Sequence, residues 1–180
     1  MKEIEDELLM ISVRQGVLEA MTPLFDRYHV KLYNFFLRLT FDRVLSEDLT
    51  QNVFYRILRY RHSYREEHKF RSWMYQMARN VLADHFEKEK IKPGDQYPED
   101  WLEKHQGNDE EDIENKERLK ALYKALSQLS AEQREILELS RFQGLKYKEI
   151  AEITGNSVGA IKVKVYRSIQ KLRELYFQEV

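Results

Sequence analysis

Residues 147–175 read YKEIAEITGNSVGAIKVKVYRSIQKLREL, and their spacing decides the fold. Ile150 and Ala151 fall in the middle of one short helix, and Gly155-Asn156 supplies a turn that tolerates positive φ. Ser157 then caps a second helix, with Val158, Ile161, Val165, Ile169 and Leu172 expected to face inward. A small side chain at Ala151 lets the two helices cross closely. The second helix leaves Lys162, Val163, Lys164, Tyr166, Arg167 and Lys171 on its outer side. From Ser140 to Val180 eight basic residues stand against four acidic ones, a local charge near +4. This is the pattern of a helix-turn-helix. A helix with small residues at its start and cations along one side fits the major groove, cations on phosphates and the first turn on base edges. An ordinary αα-hairpin shares single features of the pattern, but not Ala151, Gly155, Ser157 and Ile161 in register with the cations.

Upstream of the motif, Leu119, Leu122, Tyr123, Leu126 and Leu129 make one apolar stripe. Ser130-Ala131-Glu132-Gln133 is a capping-box pattern opening the next helix, which holds Ile136, Leu137, Leu139 and Phe142, with Gly144 as its C-cap. Before that block, residues 93–117 carry ten acidic residues against Lys104 and Lys116, along with Gly94, Pro98 and Gly107. Such a stretch is expected to be a mobile acidic linker, within which Trp101 and Leu102 are an apolar exception. A coil of about 25 residues spans roughly 25–30 Å, enough to let the flanking blocks occupy separate sites on a larger object.

The N-terminal block has its own helical periodicity. Leu24, Phe25, Tyr28, Leu32, Phe35, Phe36 and Leu39 recur on one face, with Pro23 near the start. Either Thr22 caps that helix with Pro23 at its first position, or an earlier turn kinks there. A second helix is expected to open at Ser46, with Glu47 and Asp48 in its first turn and Leu49, Val53, Ile57 and Leu58 inward. A third carries Phe70, Trp73, Met74, Met77, Ala78, Val81, Leu82 and His85. The expected fold class is all-α. Two small helical domains, residues 1–92 and 118–180, are joined by the acidic flexible linker 93–117.

Bulk composition limits what such a chain does. Over 180 residues, 42% are hydrophobic and 34% charged, and the formal net charge of −1 conceals an acidic middle and a basic end. There is no cysteine, hence no disulfide and no thiolate chemistry, which fits a reducing cytoplasm. The acidic start Met1 to Glu7 lacks a signal-peptide profile, and no apolar run is long enough to span a bilayer. A soluble, cytoplasmic protein is expected.

Two stretches of the first block carry a family likeness. Ser46-Glu47-Asp48-Leu49-Thr50-Gln51-Asn52-Val53-Phe54 resembles one helix of bacterial RNA polymerase sigma factors, and Phe70-Arg71-Ser72-Trp73-Met74-Tyr75-Gln76-Met77-Ala78-Arg79-Asn80 resembles another. The likeness is to the extracytoplasmic-function (ECF) group, which keeps only domains sigma-2 and sigma-4. The stretch from Leu129 through Ala151 and on to Lys162 is similar to that group's sigma-4. The resemblance implies that Asp48, Gln51, Asn52, Phe54 and Tyr55 dock on core RNA polymerase. It implies that Arg61, Tyr64, Arg65, Lys69, Arg71, Arg79 and Asn80 meet the opened −10 strand of promoter DNA. It assigns −35 duplex contact to Arg141, Ser157, Val158, Gly159, Ala160, Lys162, Val163, Tyr166 and Arg167. Ser168-Ile169 departs from the Ala-Arg pair common there, which bears on the preferred base sequence. Core RNA polymerase, promoter DNA and an anti-sigma protein are the implied partners, with no membrane insertion.

The residues themselves support parts of this. Arg59 to Phe70 interleaves cations with aromatics, as single-stranded DNA requires, since bases stack on rings while cations neutralise phosphates; Glu66 and Glu67, able to pair with neighbouring cations, leave a charged surface loop as the alternative reading of the same composition. Asp48, Gln51, Asn52 and Tyr55 share a polar face. Trp73, on an apolar stripe, is expected in the core. No phosphate-binding, zinc-protease or nucleophile-elbow motif is present, and His29, His62, His68, His85 and His105 form no metal spacing on one helix. No catalytic residue, cofactor or metal is expected. A two-domain transcriptional regulator with the same helix-turn-helix would instead bind duplex without polymerase, and an antagonist with a decayed DNA surface would have lost the cations that this chain keeps.

Overall fold

The computed structural model describes residues 4–90 and 113–179, and among them every regular element is helical. Helix α1 (Asp6–Arg14) lays Leu9, Met10 and Val13 on the first domain. Helix α2 (Met21–Thr40) starts two residues before Pro23. The proline therefore lies in the first turn, where a missing amide costs no intrahelical bond, and neither a Thr22 cap nor a kink is needed. Its C-cap is Phe41, held left-handed at φ 56° although it has a Cβ. Packing offsets that strain: the ring is buried, edge-on to Tyr123 at 6.5 Å and under the Arg134 guanidinium at 4.8 Å.

Helix α3 (Arg43–Arg59) opens three residues before the expected Ser46. Asp42 is the cap, accepting from the Leu45 amide at 3.0 Å. Ser46 is fully buried instead, its hydroxyl donating to the Asp42 carbonyl and meeting Thr40 Oγ1 at 3.2 Å. Helix α4 (Phe70–Glu89) buries Phe70, Met74, Tyr75, Ala78, Val81 and Leu82. The Glu7 carboxylate accepts from the Phe70 amide at 3.2 Å, so α1 places a negative charge on the N-terminus of α4. Helix α2 packs against α1 and α3, and α3 against α4, around Leu24, Leu32, Phe35, Phe36, Val53 and Ile57.

The second domain opens with α5 (Ile113–Ser127), whose first turns lie inside the stretch expected to be linker. The rest of that expectation, with Trp101 and Leu102, falls on residues 91–112, outside those described. Ser130 and Gln133 form the reciprocal capping box of α6 (Ala131–Leu137) at 3.2 and 3.1 Å. A π turn over Glu138–Phe142 then carries Glu138 and Leu139 inward and leaves Phe142 40% exposed. Gly144 at φ 64° ends the segment, and the Leu145 amide bonds the Leu139 carbonyl at 3.0 Å. Helices α7 (Tyr147–Thr154) and α8 (Val158–Glu179) follow, and α8 packs on α5, α6 and α7. The domains also touch each other, α2 against α6 and α4 against α7. No helix among the described residues is long and apolar enough to cross a membrane.

Candidate nucleic-acid interface

Helix α7 ends at Gly155 with φ 69°, and the Asn156 amide returns to the Ala151 carbonyl at 3.2 Å. The Ser157 hydroxyl accepts from the Ala160 amide at 3.1 Å and so starts α8. Ile161, Val165 and Ser168 are buried against the domain. This rotation leaves Val158, Gly159, Lys162, Val163, Tyr166 and Arg167 exposed on the opposite side. Val158 was expected inward. It occupies the first turn, before the crossing with α7, and stays 38% exposed. A Cβ on Gly159 would meet only Ser157 Oγ at 4.0 Å, so the start of α8 offers an open surface. Ala160 is half-buried and Arg141 is exposed on the π turn. Lys164 turns the other way, bonding Glu132 at 2.5 Å and Asn156 Oδ1 at 3.1 Å.

On the first domain, α3 presents Asp48, Gln51, Asn52 and Tyr55 to solvent. Asn52 accepts from Arg56 Nε at 3.0 Å, and Arg56 also pairs with Asp84 at 2.7 Å. Phe54 is buried beneath this face, its ring 4.8 Å from Phe25, which in turn stacks on His29. Sequence periodicity assigned Phe25 to the core, yet it is 42% exposed, and Val44 beside the face is 70% exposed. No pattern in the sequence separates Phe25 from Leu24; only the rotation of α2 in the bundle does. The face is therefore polar with an apolar margin.

The −10 candidates divide into three groups. Arg65, Lys69 and Asn80 are exposed, with Lys69 at 3.7 Å from Glu7. Tyr64 is not available as a stacking ring. It is 1% exposed, its hydroxyl donates to the His68 carbonyl at 2.8 Å, and its ring meets Trp73 edge-on at 5.2 Å. Burial pushes its phenol up to about 12. Trp73 is half-buried against the core, as its place on the stripe implied. Arg61 folds back, donating to the Leu58 carbonyl at 2.8 Å. The exposed ring of this loop is Tyr60, 48% exposed with the Arg59 guanidinium 5.5 Å away, a residue that the candidate set omitted although it stands in the cation–aromatic run.

The third group, Arg71 and Arg79, reaches the second domain. Arg71 donates to the Gln143 carbonyl. Arg79 forks onto Glu135 at 2.6 and 3.2 Å and donates to the Ile153 carbonyl at 2.8 Å. Between them Tyr75 hydroxyl donates to Gln143 Oε1 at 2.5 Å, and burial raises its phenol above the ordinary value. Arg38 on α2 forks onto Glu138 at 2.7 and 2.9 Å and lies over the Phe142 ring at 4.5 Å. Burial works against the Arg38 charge, but the bonds and charge of Glu138 outweigh it and hold the guanidinium above its usual value. Burial also pushes the Glu138 carboxyl above the carboxylate range, against the pull of Arg38 and Gln143. Both shifts are upward, which favours the charge on Arg38 and disfavours it on Glu138; the fork geometry identifies the pair as formed, with burial as its cost.

Comparison with known proteins gives the family. A family model described as Sigma-70 region 2 matches residues 24–91, and one described as Sigma-70, region 4 matches residues 119–172. The ECF RNA polymerase sigma factor SigM of Bacillus subtilis is 31% identical over 159 residues, covering 87% of this chain and 95% of that one. The ECF RNA polymerase sigma factor BldN of Streptomyces coelicolor is 28% identical over 172 residues; the match takes in 93% of this chain and 64% of BldN's length. The structure of CnrH in complex with the cytosolic domain of CnrY superposes with a TM-score of 0.75 at 19% identity, over 97% of this chain and 99% of that one, a likeness of fold. The chain belongs to the sigma-70 family of RNA polymerase sigma factors. Within that family it is a member of the ECF group, and its function is promoter recognition for transcription initiation, in a family whose members are not enzymes.

Proposed function

We propose that the two domains divide promoter recognition between them. Residues 1–92 dock on core RNA polymerase through Asp48, Gln51, Asn52 and Tyr55, with Phe54 supporting that face from beneath, and take the opened −10 strand. Residues 118–180 read the −35 duplex through the first turns of α8, and residues 93–117 tether the two. The observation that carries the proposal is the split surface of α8. Ile161, Val165 and Ser168 are buried, while Val158, Lys162, Val163, Tyr166 and Arg167 are left outside. Exposed cations meet phosphates, and the small residues Gly159 and Ala160 let the helix approach base edges. The chain performs no catalysis of its own and works in the cytoplasm. By analogy with the sigma factor RpoE of Bartonella quintana, solved in complex with the anti-sigma factor NepR, it takes an anti-sigma protein as a further partner.

The test is co-elution of the full chain with sigma-free core RNA polymerase on a sizing column, with Asp48→Arg alongside. Stoichiometric co-elution that the charge reversal abolishes is the expected result. Duplex binding with no co-elution would point to a polymerase-independent regulator instead.

A further inference from the structure

Arg14, the last residue of α1, and Glu66, in the loop between α3 and α4, stand 52 residues apart in sequence, yet their side chains pair at 2.5 Å. The same guanidinium donates to the Tyr64 carbonyl at 3.1 Å. From the other end of α1, Glu7 accepts from the Phe70 amide at 3.2 Å and lies 3.7 Å from Lys69 Nζ. We propose that α1 is the positioning element of the strand-capturing loop: Arg14 and Glu7 pin residues 64–70 at two points and so aim Arg65 and Lys69 at the −10 strand. The proposal rests on the reading above that this loop takes that strand.

A loop without a period of its own needs fixed points, because every residue that it must order on binding costs conformational entropy. Tyr64 and Phe70 are buried, and the Tyr64 hydroxyl closes the turn onto the His68 carbonyl at 2.8 Å. Between them Arg65, Glu66, Glu67, His68 and Lys69 are exposed. Buried rings therefore hold the two ends of the loop, and Arg14 holds its outer part through Glu66. The helix that supplies these bonds is itself fixed. Leu9, Met10 and Val13 are buried, and Asp6 receives both Arg27, at 2.6 Å, and the Tyr28 hydroxyl from α2. An ion pair with side chains 28% and 57% exposed adds little to stability. Its effect is directional, since one planar guanidinium orients a backbone carbonyl and a side chain of the loop together. The pair also accounts for a carboxylate in a loop that faces phosphates. Alone, Glu66 would repel the strand; with Arg14 against it, its charge is matched within the protein.

The sign of one substitution tests this. The complex of the full chain with core RNA polymerase selects a 12-mer from a random single-stranded DNA pool, with core alone as counter-selection, and fluorescein anisotropy reads its affinity. Were Glu66 only a charge beside the strand, Glu66→Gln would tighten binding, Arg14→Gln would weaken it, and the two together would cancel. Positioning by α1 gives another pattern: each single variant weakens the 12-mer about three- to fivefold, and the double variant is no weaker than Arg14→Gln alone. Trp73 meets Tyr64 edge-on at 5.2 Å, and Trp101→Phe leaves it the sole tryptophan of the two in the sequence. In that background, acrylamide quenching of Trp73 rises in Arg14→Gln and Glu66→Gln, while helix content by circular dichroism and co-elution with core are kept. Glu66→Gln is isosteric and lies at an exposed position, so it carries the result where Arg14→Gln loses helix. A Glu66→Gln complex as tight as wild type or tighter, or quenching that stays at the wild-type level, overturns the positioning role and leaves the strand-facing loop intact. An Arg65→Ala complex as tight as wild type, or no 12-mer retained beyond core alone, overturns the strand-facing reading instead.

Discussion

The two domains close their interiors by different chemistry. The first is filled with rings: Phe35, Phe36, Phe70 and Tyr75 are all but fully buried and meet one another and Tyr28 edge-on or tilted at 5.2–5.5 Å. The second is aliphatic and smaller, and it buries two opposite charges, Arg134 at 3% and Glu138 at 1% exposure. Arg134 is satisfied mostly at home, by the carbonyls of Leu126, Ser127 and Leu129 in the α5–α6 corner; across the seam toward the other domain it donates to the Leu39 carbonyl and covers the Phe41 ring. Burial lowers its guanidinium to about 10, which leaves it charged at neutral pH. Glu138 takes its cation from the other domain. One buried charge is thus a brace and the other a dependent, and the first domain needs neither.

The largest break of this comparison lies in the aromatic core. Phe35→Ala removes a fully buried ring that touches Phe36 and Tyr75, and the expected cost is about 4 kcal/mol. Hydrogen exchange resolved by segment should show the loss over α2, α3 and α4, with α5 to α8 nearly unchanged. Equal loss in both domains would mean that they unfold as one unit.

Arg134→Met comes next. It keeps the length of the side chain but leaves the carbonyls of Leu126, Ser127 and Leu129 without their donor in a buried corner. The expected cost is about 3 kcal/mol, read from the urea midpoint of the second domain's exchange. A cost below about 1 kcal/mol would show that water enters the corner and that Arg134 is not a brace.

How much of this was legible follows the range of the interactions. Helices α2, α4, α6, α7 and α8 were readable because apolar spacing and caps act within a few residues: Ser130 with Gln133, Gly155 with Ala151, Ser157 with Ala160. Asp42 was missed as the cap of α3 because Ser46, three residues before Leu49, offers an equally plausible cap chemistry. Tyr64 read as a stacking ring because its loop has no period; its burial depends on Trp73 and on the His68 carbonyl. The seam was beyond reach. Arg79 meets Glu135 across 56 residues of sequence and Arg38 meets Glu138 across 100, and no local pattern pairs them.

Side-chain caps give a smaller effect that should be equal on both sides of the comparison. Asp42→Ala in the first domain and Ser130→Ala in the second each remove one acceptor from a helix N-terminus, for about 1 kcal/mol apiece. Thermal denaturation of the two single variants and the double variant measures both. Additive losses are expected because the caps share no partner. A double variant that loses much more than the sum would show that the α3 and α6 termini communicate through the seam.

The smallest effect isolates the dependent charge. Burial raises the Glu138 carboxyl above its ordinary value, so the folded state holds this proton more tightly than the unfolded chain does. Its contribution to stability is fully present below the ordinary carboxylate range and is lost as pH rises through the raised folded value. The effect is read as a difference between two chains, so that every group common to both cancels. Wild type minus Glu138→Gln, compared by urea midpoint from about pH 4 to 7, should decline with rising pH, by about 1 kcal/mol or less. The sign decides what Arg38 does. A difference that rises instead would mean that the Arg38 fork more than offsets the burial of Glu138. The seam would then be held by the ion pair itself, and the hydrogen bonds centred on Gln143 would be secondary.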